Sequence, residues 1–130
     1  MKVTFMKTSE SKRDLRERTK CFALRIIRMA SALPKNAVGN VISYQILKSG
    51  TSVGAHYREA YRSRSTAEFI SKMEGGLQEL DETAYWLELL ADSGILPAKR
   101  LAELRKETDE LIAIFTTCVR NAKRKKGNTR

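Results

Sequence analysis

The chain has 130 residues, 42% of them hydrophobic, and its 25 Lys and Arg outweigh 15 Asp and Glu to give a net charge of +10. That length suits one domain with an ordinary core, and a second is not expected, while the charge makes an anionic partner the first to consider. No apolar run approaches the roughly 18 residues a membrane span requires, and Lys2, Lys7, Lys12 and Arg13 interrupt any signal-peptide core, so a cytoplasmic protein without a membrane partner is expected.

Residues 1–10 carry no period and read as a flexible lead, with Val3, Phe5 and Met6 available to dock as a short clip. A first helix follows through Leu15, Thr19, Phe22, Ile26, Met29 and Leu33, spaced in threes and fours. Pro34 closes it. Its polar side is basic, with Arg13, Arg16, Arg18, Lys20, Arg25 and Arg28.

From Asn36, a good N-cap residue, a second stripe begins with Val38, Ile42, Ile46, Val53, Tyr57 and Ala60 and loosens in the middle. Residues 49–55 admit two readings. By propensity, Ser49-Gly50-Thr51-Ser52-Val53-Gly54-Ala55 is a loop. Alternatively, Gly50 and Gly54 lie on one face of a continuous helix and let a neighbour approach closely, with Gly75-Gly76 as the matching gap in the third helix.

The third helix has the longest periodic signal: Ile70, Met73, Leu77, Leu80, Ala84, Leu87 and Ala91. Ser65-Thr66-Ala67-Glu68 reads as a capping box at its start, and Asp92-Ser93-Gly94 as its stop. Tyr85, Trp86 and Leu89 fall off the stripe. Either a connection or the N-terminal lead covers them, or they form a subunit interface; the second reading is preferred, because such a cluster left bare is a sticky patch. After Pro97, tolerated in a first turn, a fourth stripe runs through Leu101, Leu104, Thr108, Leu111, Phe115, Cys118 and Ala122. Residues 123–130 are expected to form a disordered basic tail.

Four amphipathic segments, short connections and no strand alternation predict an all-α, antiparallel up-down-up-down four-helix bundle. Charge is unevenly shared: residues 1–35 hold 10 basic and 3 acidic groups, residues 93–130 hold 10 and 4, and residues 64–92 hold 2 and 7. The third helix is therefore acidic, and Glu79 and Glu82 are expected to pair with Arg or Lys across a junction.

Catalytic chemistry finds little support. His56 is the one histidine, and no Glu-x-x-His pattern surrounds it, which argues against a di-iron site. It reads instead as a polar group hydrogen-bonded at a helix contact. The glycines match no phosphate-cradling loop, and no nucleophile–base set can be assembled. Cys21 and Cys118 have neither redox nor metal spacing and read as reduced core residues. No enzyme activity, catalytic residue, metal or cofactor is expected.

Three blocks carry a family likeness: residues 49–60 from Ser49 to Ala60, Ala67-Glu68-Phe69-Ile70-Ser71-Lys72-Met73, and Glu79-Leu80-Asp81-Glu82-Thr83-Ala84-Tyr85-Trp86-Leu87. In this order and spacing the chain, from about Phe22 to Phe115, resembles the bacterial four-helix bundle proteins related to those encoded in 23S rRNA intervening sequences. His56 stands where that family usually has asparagine. The resemblance implies that residues 49–55 continue as helix and that five subunits form a ring. More distant relatives, the accessory proteins of diversity-generating retroelements, are basic pentameric barrels that bind nucleic acid and a reverse transcriptase.

Function is thus expected to be non-catalytic binding of nucleic acid, structured RNA above all, with no base-reading motif in evidence. The candidate contacts are Arg13, Arg16 and Lys20 on the first helix, and Arg120, Lys123, Arg124, Lys125, Lys126 and Arg130 at the C-terminal end. Tyr85, Trp86 and Leu89 are the candidate oligomer interface. The alternative is an oligomeric scaffold for an acidic protein, such as a co-encoded polymerase.

Overall fold

The computed structural model describes residues 9–128, and the side chains of residues 15–127. Four helices, α1 (Ser9–Ser31), α2 (Ala37–Tyr61), α3 (Thr66–Asp92) and α4 (Ala98–Asn128), are joined by connections of a few residues. Such short links leave consecutive helices antiparallel. Each packs along its length on the next, whereas α1 and α4 meet sparsely. The result is the expected all-α four-helix bundle, with no strand among the described residues.

Local chemistry sets the helix ends. Asn36 has extended backbone, and its side chain accepts from the Gly39 N–H at 2.8 Å, which satisfies one orphan donor of α2. Ser65 Oγ accepts from the Glu68 N–H at 3.1 Å. The Glu68 carboxylate in turn accepts from the Arg64 N–H at 2.7 Å, so the capping box reaches one residue further back than its usual partner. Gly94, at φ +75°, ends α3 in the left-handed conformation that glycine adopts without a Cβ penalty.

The four stripes meet in one core around Phe22, Ile26, Ile46, Tyr57, Phe69, Leu80, Leu111 and Phe115, all nearly or fully buried. In α3 the covered face is wider than the expected stripe. Phe69, Gly76, Thr83 and Leu90 are buried, while Leu77 and Ala91 are only partly so. This helix packs on both α2 and α4, so two adjacent faces are covered. Among the polar core groups, Ser49 of α2 and Thr83 of α3 share a hydrogen bond of 2.8 Å. Thr19 and Thr108 each bond a carbonyl one turn back, Leu15 and Leu104 respectively.

Several expectations need correction. Residues 49–55 are helical throughout, but the glycines do not face one another across α2 and α3. A Cβ on Gly50 would meet Ile26, and one on Gly54 would meet Thr19, both on α1. Those on Gly75 and Gly76 would meet His56 of α2 and Phe115 of α4 respectively. Val38 is 58% exposed and leaves the stripe. Cys21 is exposed, whereas Cys118 is partly buried against the core; both thiols are free. The expected tail is not irregular as far as Asn128, because α4 continues to that residue. The expected lead falls on residues 1–8, outside the described residues, except that Ser9 and Glu10 already belong to α1.

Candidate nucleic-acid interface

No Asp or Glu follows Glu110 in the sequence, so the charged side chains in the last third of α4 are all cationic. Arg120, Lys123, Arg124, Lys125 and Lys126 are all exposed. Cations at a helix C-terminus also complement its dipole. Buried Val119 and Ala122 anchor this stretch on the core. Lys123 is not wholly available, since its Nζ lies 3.0 Å from Glu74 Oε2 of α3. Both partners are well exposed, so that pair is worth about 1 kcal/mol at most.

On α1, Arg16 and Lys20 are exposed and four residues apart, hence on one helical face. The side chains of Arg13 and Arg130 lie outside the described residues. The charge of Arg16 acts on Tyr57 of α2. That phenol is pushed well up, first by burial and then by Cys118 and Tyr61, while Arg16 works in the opposite direction.

The arginine that faces α4 is instead Arg18. It forks onto Glu107 through Nε at 3.1 Å and Nη2 at 2.6 Å, and reaches Glu110 at 3.1 Å. This pairing neutralises the middle of the α1–α4 seam. A second cationic cluster, which sequence reasoning missed, lies further along that seam, where Arg25 and Arg28 of α1 and Arg100 of α4 line one groove. Arg100 and Lys123 are 23 residues apart on a continuous helix, about 35 Å at 1.5 Å per residue. Along the seam the basic surface is thus two clusters separated by the Arg18–Glu107–Glu110 pairing. The only advance signal was the basic polar side of the first helix.

His56 sits at the α2–α3 contact, as expected, but without the expected hydrogen bond. Its Nδ1 is buried with no hydrogen-bond partner among the described residues, and Nε2 lies 3.8 Å from Glu79 Oε2, too far for a hydrogen bond. The ring fills the space that Gly75 leaves, since a Cβ there would lie 2.8 Å from His56 Cε1. Glu79 therefore approaches His56 and forms no ion pair with Arg or Lys among the described residues. Its carboxyl is held above the usual range, first by burial and then by Glu82, against the opposing pull of His56 and Lys48. Among the described residues no cluster of His, Cys, Asp and Glu is placed to hold a metal ion.

Tyr85 is 54% exposed, Leu89 is partly buried, and Trp86 is partly buried against the core. Tyr85 and Trp86 pack together with ring centroids 5.4 Å apart. No described helix is long and apolar enough to cross a membrane.

Residues 12–117 match the model of the 23S rRNA-intervening sequence protein. The chain belongs to the 23S rRNA-intervening sequence protein family. A solved structure agrees: a protein of unknown function from the S23 ribosomal protein family of Bacteroides thetaiotaomicron VPI-5482 is 32% identical, with a TM-score of 0.78 over 84% of this chain and 97% of that one. No curated protein matches. The stretch shared with the 23S rRNA-intervening sequence family includes Arg16, Lys20, Arg25, Arg28 and Arg100, whereas Arg120 and the lysines that follow lie beyond it.

Proposed function

We propose that this protein is a non-catalytic, oligomeric RNA-binding protein of the cytoplasm that needs no cofactor. The observation that carries the reading is the carboxylate-free end of α4. Five exposed cations there are presented on a folded helix anchored by Val119 and Ala122. Arg16 and Lys20 on α1 add to the basic surface, and Arg13 and Arg130 are further candidates. Membership of a family named for rRNA intervening sequences favours RNA as the anion. The subunits assemble through Tyr85, Trp86 and Leu89, and a ring of five, as the resemblance implies, repeats the cation cluster on every chain, so several weak contacts act together.

Basic groups that displace condensed counterions make affinity fall with salt, with a log–log slope of about −0.9 per duplex phosphate contacted. Replacing Arg120, Arg124 and Lys125 with Gln leaves the Lys123–Glu74 pair in place. On a structured RNA the variant should bind more weakly, with a slope flatter by about 2 to 3 and unchanged helix content. An unaltered slope and affinity removes the end of α4 from the interface. Salt-insensitive or absent RNA binding by the intact protein defeats the whole reading in favour of a protein scaffold.

A further inference from the structure

The sparse contact between α1 and α4 leaves a groove of about 250 Å³ where the C-terminal half of α1 faces the first turns of α4. Its floor is apolar, formed by Met29, Leu101 and Leu104, and its polar walls are Arg25, Arg28 and Arg100, with Glu103 as the one carboxylate. Arg18 stands seven residues before Arg25, hence on nearly the same side of α1. There it is neutralised by two glutamates. None of the three groove arginines forms an ion pair among the described residues, so three guanidinium groups face one another against a single carboxylate.

We propose that this groove binds one nucleotide unit of a single-stranded RNA segment, with its phosphate on the guanidinium groups of Arg25, Arg28 and Arg100 and its base against the apolar floor. Guanidinium presents a planar fork of donors that matches a phosphate, and its flat face stacks on bases. A strand already unpaired can splay a base into such a site, which a base-paired duplex cannot do. The volume lies just below the usual range of small-molecule pockets, roughly 300–1,000 Å³, which fits one nucleotide and excludes a longer stretch within the groove. The site is far from the cationic end of α4, so the two clusters act on different parts of one strand. The class of ligand rests on the RNA reading above; the groove and its residues do not.

The test uses the full chain with two fluorescent probes of equal length, a single-stranded oligoribonucleotide and its abasic counterpart, read by anisotropy against salt. The wild type should prefer the strand that carries bases. The double variant Arg25→Gln, Arg28→Gln should lose at least about tenfold in affinity for it, flatten the salt slope by up to about 0.7, the contribution of one single-strand phosphate, and lose the preference over the abasic strand. Replacing Arg120, Arg124 and Lys125 should weaken both probes alike and keep that preference. Glu103→Gln removes the groove's carboxylate and should tighten binding several-fold, a gain that misfolding cannot imitate. Wild-type binding that is unchanged in both the arginine and the Glu103 variants overturns the groove while leaving the RNA reading intact. A wild type that binds neither probe nor a structured RNA overturns both. Equally tight binding of poly-glutamate, with the same dependence on Arg25 and Arg28, overturns the nucleotide assignment.

Discussion

Gly50 of α2 lies against Ile26 of α1 so closely that a Cβ on the glycine would stand 2.8 Å from Ile26 Cγ1 and 2.9 Å from Cγ2. Ile26 is wholly buried and β-branched, hence stiff at χ1, and cannot swing aside. The glycine is the condition for this helix contact.

Gly50→Ala should therefore destabilise the protein by about 1–3 kcal/mol through overpacking, despite a helix-propensity gain of about 1 kcal/mol. In an Ile26→Ala background, where both offending carbons are gone, the same change should cost much less. At Gly54 the nearest atom is Thr19 Oγ1 at 3.2 Å, so Gly54→Ala should be close to neutral. Urea melts of the four variants decide the matter; equal costs for Gly50→Ala in both backgrounds would contradict the assigned contact.

Glu79 supplies a pH prediction. Its carboxyl is raised above the ordinary value of 4.5, first by burial. A group raised on folding contributes stability that is fully present below its unfolded value and lost as pH rises through the folded one. Glu79→Gln removes that dependence. Relative to wild type, the variant should gain in melting temperature between pH 4 and pH 7. A constant difference across that range would show that the carboxylate ionises without penalty.

The two cysteines should differ sharply in reactivity. Burial pushes the Cys118 thiol up to about 11 from an ordinary 9.0, and the thiolate is the reactive form. That rise lowers its thiolate fraction about a hundredfold near pH 8. Cys21 is exposed. Iodoacetamide at that pH, followed by mass spectrometry of intact and digested protein, should give one prompt adduct at Cys21 and a much slower one at Cys118. Matched rates at the two sites would contradict the burial.

Trp86→Glu tests the proposed assembly. Placing a charge within a subunit contact is strongly unfavourable, whereas Trp86 lies at the edge of the core and is only partly buried. A folded species of lower mass is the expected result in size-exclusion with light scattering. An oligomer of unchanged mass, or a monomeric wild type, removes Tyr85, Trp86 and Leu89 from the interface.

The parts of the fold legible in the sequence are those decided within about one helical turn. Asn36 caps α2 through Gly39 and Ser65 caps α3 through Glu68, and Gly94 ends α3 by its own φ. Each effect needs only neighbours three or four residues away. The stripes from Leu15 to Leu33 and from Leu101 to Ala122 placed most of their buried residues by the same 3.6-residue period. What the sequence left open depends on how each helix is rotated against its neighbours, because adjacent positions differ by 100° around the axis. Only the packed bundle decides that Gly50 and Gly54 serve α1, that Val38 and Cys21 face outward, and that Arg18 rather than Arg16 meets Glu107. The groove is the extreme case. Arg28 and Arg100 are 72 residues apart in the chain, and it is the antiparallel return of α4 beside α1, over an open seam, that brings them together.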